Sequence, residues 1–335
     1  MSGEAPRNLG NLPALLNFCV RNTATEDAPS APTGEMDPER RKWLDDALLE
    51  MTISPVEEMQ KNLKMIRDTL DQVNESASPP SEEACSTLQS ALENIVEYVC
   101  SIDCANDFHK IGGFEVLDPL LHFPDAVVCS RTSALIAELV QNNPYCQREA
   151  AGHLKTLLKL IDTAEDENVR IKALYAVSCM VRHNLPGYLE FEKQNGLAVL
   201  MRTLQSNVLR LKAKACFLLS SLCSQQTESR ETLLQMGFVE QLAALLRHEQ
   251  GPHREHLLGT LATLVTECAS ARDECRRPEL QLEATLRECV GSASGREECR
   301  EERDHCALIL ATCFNDRSHE APEMDRALTL FQKIL

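Results

Sequence analysis

Residues 168–205 read NVRIKALYAVSCMVRHNLPGYLEFEKQNGLAVLMRTLQ. A long run with helical periodicity is broken at Leu185-Pro186-Gly187, followed by a short amphipathic run, an Asn-Gly turn and a second apolar run. The same pattern recurs on both sides. Ser133, Leu174, Cys216 and Leu258 occupy equivalent places in Ala-rich helices, about 41–42 residues apart. Gly113, Gly152, Gly196 and Gly237 follow as turn glycines, where freedom to adopt positive φ lets the chain bend between helices. A period of this size without strand signals predicts an α-solenoid, all-α in class.

Each unit resolves into a short helix before the glycine, a second helix after it, and a long third helix. In the second unit these are PYCQREAA, HLKTLLKLI and NVRIKALYAVSCMVR. Three helices per repeat favour the armadillo form over the two-helix HEAT form. The expectation is a right-handed solenoid of about four armadillo repeats over residues 102–270, with helical caps at both ends. Residues 36–101 form the N-terminal cap. Asp37-Pro38 and Ser54-Pro55 both carry an N-cap followed by proline at the first helical position. Trp43 is a packing anchor, and Met59, Leu63, Ile66, Leu70 and Val73 make one apolar stripe. A helix over about 82–100 buries Leu88, Leu92, Ile95 and Val99. Residues 271–335 supply C-terminal capping helices, near 278–290, 297–314 and 323–335. Residues 1–35 read as a disordered segment holding one Leu-rich run, Leu12 to Val20, and a TATEDAPSAPTGE stretch.

The 335 residues carry a formal charge of −17, which disfavours binding a phosphate backbone over a large surface. No run reaches the ~18 apolar residues of a membrane span, and Leu12–Val20 lacks the flanks of a signal peptide. The 15 cysteines form no zinc spacing and no secreted disulfide framework. Cys179 and Cys216 sit in Ala-rich helices, while Cys299, Cys306 and Cys313 recur at heptad steps along one face. They read as reduced, buried thiols of a cytosolic protein, with redox sensing as the alternative. The cytosol is the expected compartment, with the nucleus as a second. No phosphate loop, nucleophile elbow or HExxH motif is present, so no enzyme, cofactor or metal is expected. His253 and His256 share a helix face but have no third ligand nearby. Asp162, Glu165, Asp166 and Glu167 read as a solvated acidic loop, because the spacing of a calcium loop is missing.

What remains is a binding surface, most simply on the third helices, which line the concave face of armadillo stacks. Peptide-binding armadillo proteins carry a Trp/Asn ladder there. Here the Trp-like positions are Ala134, Tyr175, Phe217 and Gly259, and the Asn-like positions are Glu138, Cys179, Ser221 and Thr263. Cysteine and glutamate cannot clamp a peptide backbone with a donor and an acceptor together, which argues against a carrier of basic peptides. One turn earlier stand Arg131, Lys172, Lys214 and His256, a column of cationic or titratable groups. With Tyr175 and Phe217 as aromatic anchors, this column suits an acidic folded partner.

The chain resembles the armadillo-type nucleotide exchange factors of the heat-shock protein 70 chaperones. The resemblance rests on Pro6-Arg7-Asn8-Leu9 with Leu15-Leu16, Glu39-Arg40-Arg41 with Trp43-Leu44, and Val169-Arg170-x-Lys172-Ala173-Leu174 with Ser178-Cys179. It continues through Val199-Leu200-Met201-Arg202, Met236-Gly237, Glu255-His256-x-Leu258-Gly259, Glu274-Cys275-Arg276 and Pro278-Glu279-Leu280-x-Leu282-Glu283. It spans residues 36–290 or so and is looser beyond Gly291. The resemblance implies a co-chaperone whose concave face embraces lobe II of the chaperone's nucleotide-binding domain and accelerates ADP release. The residues it would use are Arg131, Glu138, Lys172, Tyr175, Cys179, Lys214, Phe217, Ser221, His256 and Thr263. It also implies a client-release segment around Leu12, Leu15, Leu16 and Phe18, which occupies the chaperone's client-binding domain. A monomer is expected, without nucleic acid or membrane partners. The alternative is an armadillo scaffold or adaptor for another acidic protein.

Overall fold

The computed structural model describes residues 54–76, 79–248, 254–293 and 297–315, and these residues contain helices and no strands. The expected helix at Asp37, the anchor Trp43, the segment around Leu12–Phe18, His253 and the helix near 323–335 lie outside them. The chain divides into two compact units, Met1–Val116 and Leu117–Leu335.

In the first unit, α1 (Pro55–Glu75), α2 (Glu82–Val99) and α3 (Ile102–Lys110) pack on one another. Two serines set the first two starts. Ser54 Oγ accepts from the Glu57 N–H at 3.4 Å, and Ser81 Oγ from the Ala84 N–H at 3.1 Å. Met59, Leu63, Ile66 and Leu70 of α1 are buried, as are Leu88, Leu92, Ile95 and Val99 of α2. The stripe spacing therefore gave the contact face correctly, apart from the half-buried Val73. A short 3-10 turn, Gly113–Val116, ends the unit.

The second unit stacks the repeats. Its helices are α4 (Leu117–Leu121), α5 (Ala126–Val140), α6 (Pro144–Glu149), α7 (Leu154–Thr163), α8 (Glu167–Val181), α9 (Leu185–Lys193) and α10 (Gly196–Thr203). Then come α11 (Leu209–Gln225), α12 (Thr227–Gln235), α13 (Phe238–His248), α14 (Arg254–Glu267), α15 (Ala269–Cys275), α16 (Leu282–Ala293) and α17 (Arg300–Cys313). The long third helices form a continuous stack: α5 on α8, α8 on α11, α11 on α14, and α14 on α17. Ser133, Leu174, Cys216 and Leu258 are all buried in it, so the repeat register read from sequence holds. The C-terminal helices α15 to α17 continue the same short–medium–long order, with α17 packed on α14.

Two expectations need correction. Of the turn glycines, Gly237 does adopt positive φ (78°), but Gly113 and Gly196 do not. Their absent side chains instead permit close approach. A Cβ at Gly196 would lie 2.2 Å from the Phe191 ring, and one at Gly113 would lie 2.5 Å from Phe108. The left-handed turns are made by their neighbours Asn195 (φ 57°) and Gly112 (φ 80°). The acidic loop is also more than a solvated surface. Asp166 Oδ1 accepts from the Val169 N–H at 2.9 Å and caps α8. Asp162 accepts two hydrogen bonds from Arg202, at 2.9 and 2.8 Å, tying α7 to α10 across one repeat.

The far ends of α11 and α14 are capped by arginines from the next short helix. Arg230 of α12 donates to the carbonyls of Cys223 and Ser224 at the end of α11. Arg272 of α15 repeats this on Val265 and Thr266 of α14, at 2.6 and 2.8 Å. A guanidinium there satisfies orphan carbonyls and opposes the negative end of the helix dipole. Near 278–290, Gln281 in the left-handed region (φ 50°) splits the expected single helix into a 3-10 turn, Pro278–Leu280, and α16. That helix then runs through Gly291 to Ala293, past the expected end near residue 290.

Candidate functional site

The third helices are Ala- and Leu-rich because most of each surface is packed on a neighbour. One stripe of α5, α8, α11 and α14 escapes that packing. All ten residues singled out from sequence lie on it, at spacings of three, four and seven that keep them on one face. Lys214, Phe217 and His256 are exposed; Arg131, Glu138, Lys172, Tyr175, Cys179, Ser221 and Thr263 are half-buried.

The structure gathers a subset of these into one cleft of about 200 Å³, where the C-terminal ends of α5 and α8 meet the first half of α11. Gln141, Tyr175, Cys179, Arg182, Lys214 and Phe217 line it. Tyr175 Oη donates to Gln141 Oε1 at 2.9 Å, while the Lys214 ammonium lies 5.2 Å from the centre of the Tyr175 ring. Arg182 lies over Phe217 at 4.8 Å. These are cation–π contacts in which each cation bridges two consecutive third helices. Phe217 nevertheless keeps 59% of its surface exposed, which is unusual for a phenylalanine.

Electrostatics here favour binding over covalent chemistry. Burial pushes the Tyr175 hydroxyl up to about 12, reinforced by the negative charge of neighbouring groups including Glu138. Burial likewise raises the Cys179 thiol, more than its Tyr175 hydrogen bond and the Arg182 and Lys214 charges lower it. Both side chains are thus neutral at pH 7 and present hydrogen-bonding surface beside two fixed cations.

The remaining residues are spread along the stripe outside the cleft lining. His256 lies 3.9 Å from Glu255 Oε1. Gly259 is approached by His305 of α17, whose Nε2 would stand 3.2 Å from a Cβ at that position. Ser221 Oγ accepts from Gln225 Nε2 at 2.6 Å, and Thr263 donates to the Gly259 carbonyl at 2.9 Å. Arg182, Gln141 and Gln147 were missed by the sequence reading. Gln147 Nε2, on the short helix α6 that follows α5, donates to the Cys179 carbonyl at 3.0 Å. Arg182 could have been found, since it stands one helical turn beyond Cys179 in the same column. The glutamines carried no such signal. Asn142 and His183, both at φ 53°, form the left-handed turns that follow α5 and α8 and shape the rim of the cleft.

Among the described residues, no group of three His, Cys, Asp or Glu side chains is arranged to hold a metal ion. No described helix is long and apolar enough to cross a membrane.

Comparison with known proteins bears on both fold and family. Designed armadillo repeat proteins share the fold: one aligns with a TM-score of 0.56 at 19% identity, over 73% of this chain and 98% of its own. Another, solved in complex with a (KR)4 peptide, gives 0.58 at 18%, over 74% and 98%. Residues 104–232 match the SIL1/FES1/HPBP1 C-terminal domain, and residues 12–108 match the nucleotide exchange factor Fes1. Mouse Hsp70-binding protein 1 is 36% identical over 96% of this chain and 90% of its own length. The human protein of that name is 36% identical over 94% and 88%. The nucleotide exchange factor SIL1 of Mus musculus is 27% identical over 75% and 60%. With more than a third of its residues shared along nearly its whole length, the chain belongs to the SIL1/FES1/HPBP1 family of Hsp70 nucleotide exchange factors.

Proposed function

We propose that this protein is a cytosolic co-chaperone that binds the nucleotide-binding domain of an Hsp70 chaperone and accelerates release of ADP. The proposed contact is the exposed stripe of α5, α8, α11 and α14, engaging lobe II of that domain. One observation carries the reading: the centre of the stripe holds the Tyr175–Lys214 and Arg182–Phe217 pairs, aromatic faces with fixed cations on an otherwise acidic chain. Exposed aromatics and arginines with pre-set geometry are what an interface hot spot requires. The cations select an acidic surface and steer its approach.

The mechanism needs no catalytic group. A partner that binds the open arrangement of the two chaperone lobes better than the closed, ADP-holding one must weaken ADP binding by the same factor. Exchange is then driven by differential affinity alone. The Leu-rich run around Leu12, Leu15, Leu16 and Phe18 supplies a second contact, occupying the client site so that released client does not rebind. Short extended apolar stretches are the natural ligands of such a site.

Stopped-flow release of fluorescent ADP from a cytosolic Hsp70 tests this. Addition of the full chain accelerates release, and Phe217→Ala removes most of the acceleration. An unchanged release rate with the folded full chain would rule out the exchange activity; full acceleration by the variant would move the contact elsewhere on the solenoid.

A further inference from the structure

The last described helix, α17, turns Cys306 and Cys313 into the protein interior. Cys306 is hydrogen-bonded to Cys289 of α16, and Cys313 to Cys275 of α15. All four thiols are buried. Buried thiols are ordinarily inert, because desolvation keeps them protonated. Cys223, between α11 and its neighbours, shows this: burial pushes it up to about 12.

Arginine charges act on both pairs: Arg276 and Arg272 on Cys313, and Arg254 on Cys289 and Cys306. Arg254, at the start of α14, donates through Nη2 to the Leu246 carbonyl at 2.9 Å, and its Nη1 lies 3.7 Å from Glu302 Oε1. Its Nε–H has no partner, and among the described residues it is the one buried side-chain polar atom in that condition. A buried guanidinium with an unused donor favours an anion close by. Its charge acts on both sulfurs of the pair. The hydrogen bond from Cys306 and the Arg254 charge lower the Cys289 thiol against the opposing effects of burial, Glu302 and Glu288. Glu302 stands one turn before Cys306 on α17, so a cation and an anion act on the same dithiol from two helices.

We propose that Cys289 and Cys306 form a redox-modification site, a dithiol that hydrogen peroxide converts to a disulfide between α16 and α17, with Arg254 stabilising the attacking thiolate. Cys289 releases its proton, and its sulfur attacks one peroxide oxygen; the S–O bond forms as the O–O bond breaks. The departing hydroxide takes up a proton and leaves as water, giving the sulfenic acid. The Cys306 sulfur then attacks the Cys289 sulfur. The S–S bond forms, the S–O bond breaks, and the second hydroxide takes the Cys306 proton to leave as water. Two thiols and one peroxide give one disulfide and two waters.

Access follows from position. Glu301, Asp304, Ala307 and Ala311 lie exposed on the opposite side of α17, so outward movement of one helix uncovers the pair. The bridge would pin α17 shut and hold the C-terminal cap on the stack. This site is independent of the chaperone-binding proposal.

The test is a peroxide titration of the reduced full-length protein, quenched by alkylation and mapped by mass spectrometry without reduction. The Cys289–Cys306 bridge is expected in the folded protein and is reversible by dithiothreitol. Glu302→Gln removes the opposing anion and accelerates bridging, while Arg254→Met slows it. Arg254 also holds the Leu246 carbonyl, so Glu302→Gln decides the matter should the Arg254 variant fold poorly. Absence of the Cys289–Cys306 bridge, bridging only in urea, or an unchanged rate in Glu302→Gln would each overturn the proposal.

Discussion

The Lys214 ammonium sits 5.2 Å from the centre of the Tyr175 ring, joining α11 to α8 through the one stripe of the third helices that packing leaves uncovered. Arg182 and Phe217 make the reciprocal contact, with the cation on α8's end and the ring on α11. Each helix thus lends an aromatic and a cation to a shared surface, held in place before any partner arrives. Such pre-organisation lowers the entropy lost on association.

Phe217→Ala should separate binding from folding. The ring is largely exposed, so the melting temperature should move little, as for other surface changes. Affinity for the Hsp70 nucleotide-binding domain should fall by about thirtyfold, the ~2 kcal/mol of a hot-spot residue. Titration calorimetry with parallel thermal melts reads both. Unchanged affinity would remove Phe217 from the interface.

Charge reversal tests steering. Lys172→Glu with Lys214→Glu should reduce the association rate several-fold at low salt and flatten its dependence on ionic strength, while helix content stays the same. Stopped-flow association at two salt concentrations measures this. Equal salt slopes in parent and variant would exclude a cationic contact.

Gly196 and Gly152 offer a matched pair for stability. A Cβ at Gly196 meets the Phe191 ring at 2.2 Å, so Gly196→Ala should destabilise the protein by about 1–3 kcal/mol through forced repacking. At Gly152 no atom lies within 4 Å of the added carbon, and Gly152→Ala should be neutral or slightly stabilising. Urea denaturation of both variants should show the contrast. Equal effects would mean the ring moves aside without penalty.

The Asp162–Arg202 pair carries a pH signature. The hydrogen bond from Arg202 holds the Asp162 carboxyl below the usual aspartate range. A depressed folded value means the contribution is present above the unfolded aspartate value and is lost as pH falls through the lower folded one. Below about pH 4 the parent should therefore lose stability more steeply than Asp162→Asn, which lacks the titrating group. Unfolding midpoints from pH 7 to pH 3 report this, and parallel curves would remove the ion pair as the cause.

Removing residues 1–35 from the full chain should leave ADP release by Hsp70 unaffected while slowing net client release. A fluorescent client peptide read alongside labelled ADP distinguishes the two. Loss of both activities together would assign this segment to the exchange contact instead.

Much of this architecture was legible in the chain itself. A period near 42 residues with apolar positions every third or fourth fixed helix type, repeat register and the buried set, because a helix face is a direct geometric consequence of spacing. That is why Leu174 and Cys216 went inside and Tyr175 and Phe217 onto the uncovered stripe, one position further along the same helices. Local chemistry was equally readable where a cap involves neighbours in sequence, as at Ser54 and Ser81. Contacts between residues about forty positions apart were not. The Arg182–Phe217 and Asp162–Arg202 pairs, the glutamines that frame the cleft, and the placement of Arg254 against α17 depend on how one repeat is rotated against the next. Pattern decides which face of a helix is buried, and tertiary packing decides which side chains then meet across repeats. Gly196 shows the limit most simply: the sequence called for a glycine at the turn, but only the ring of Phe191 explains why nothing larger fits.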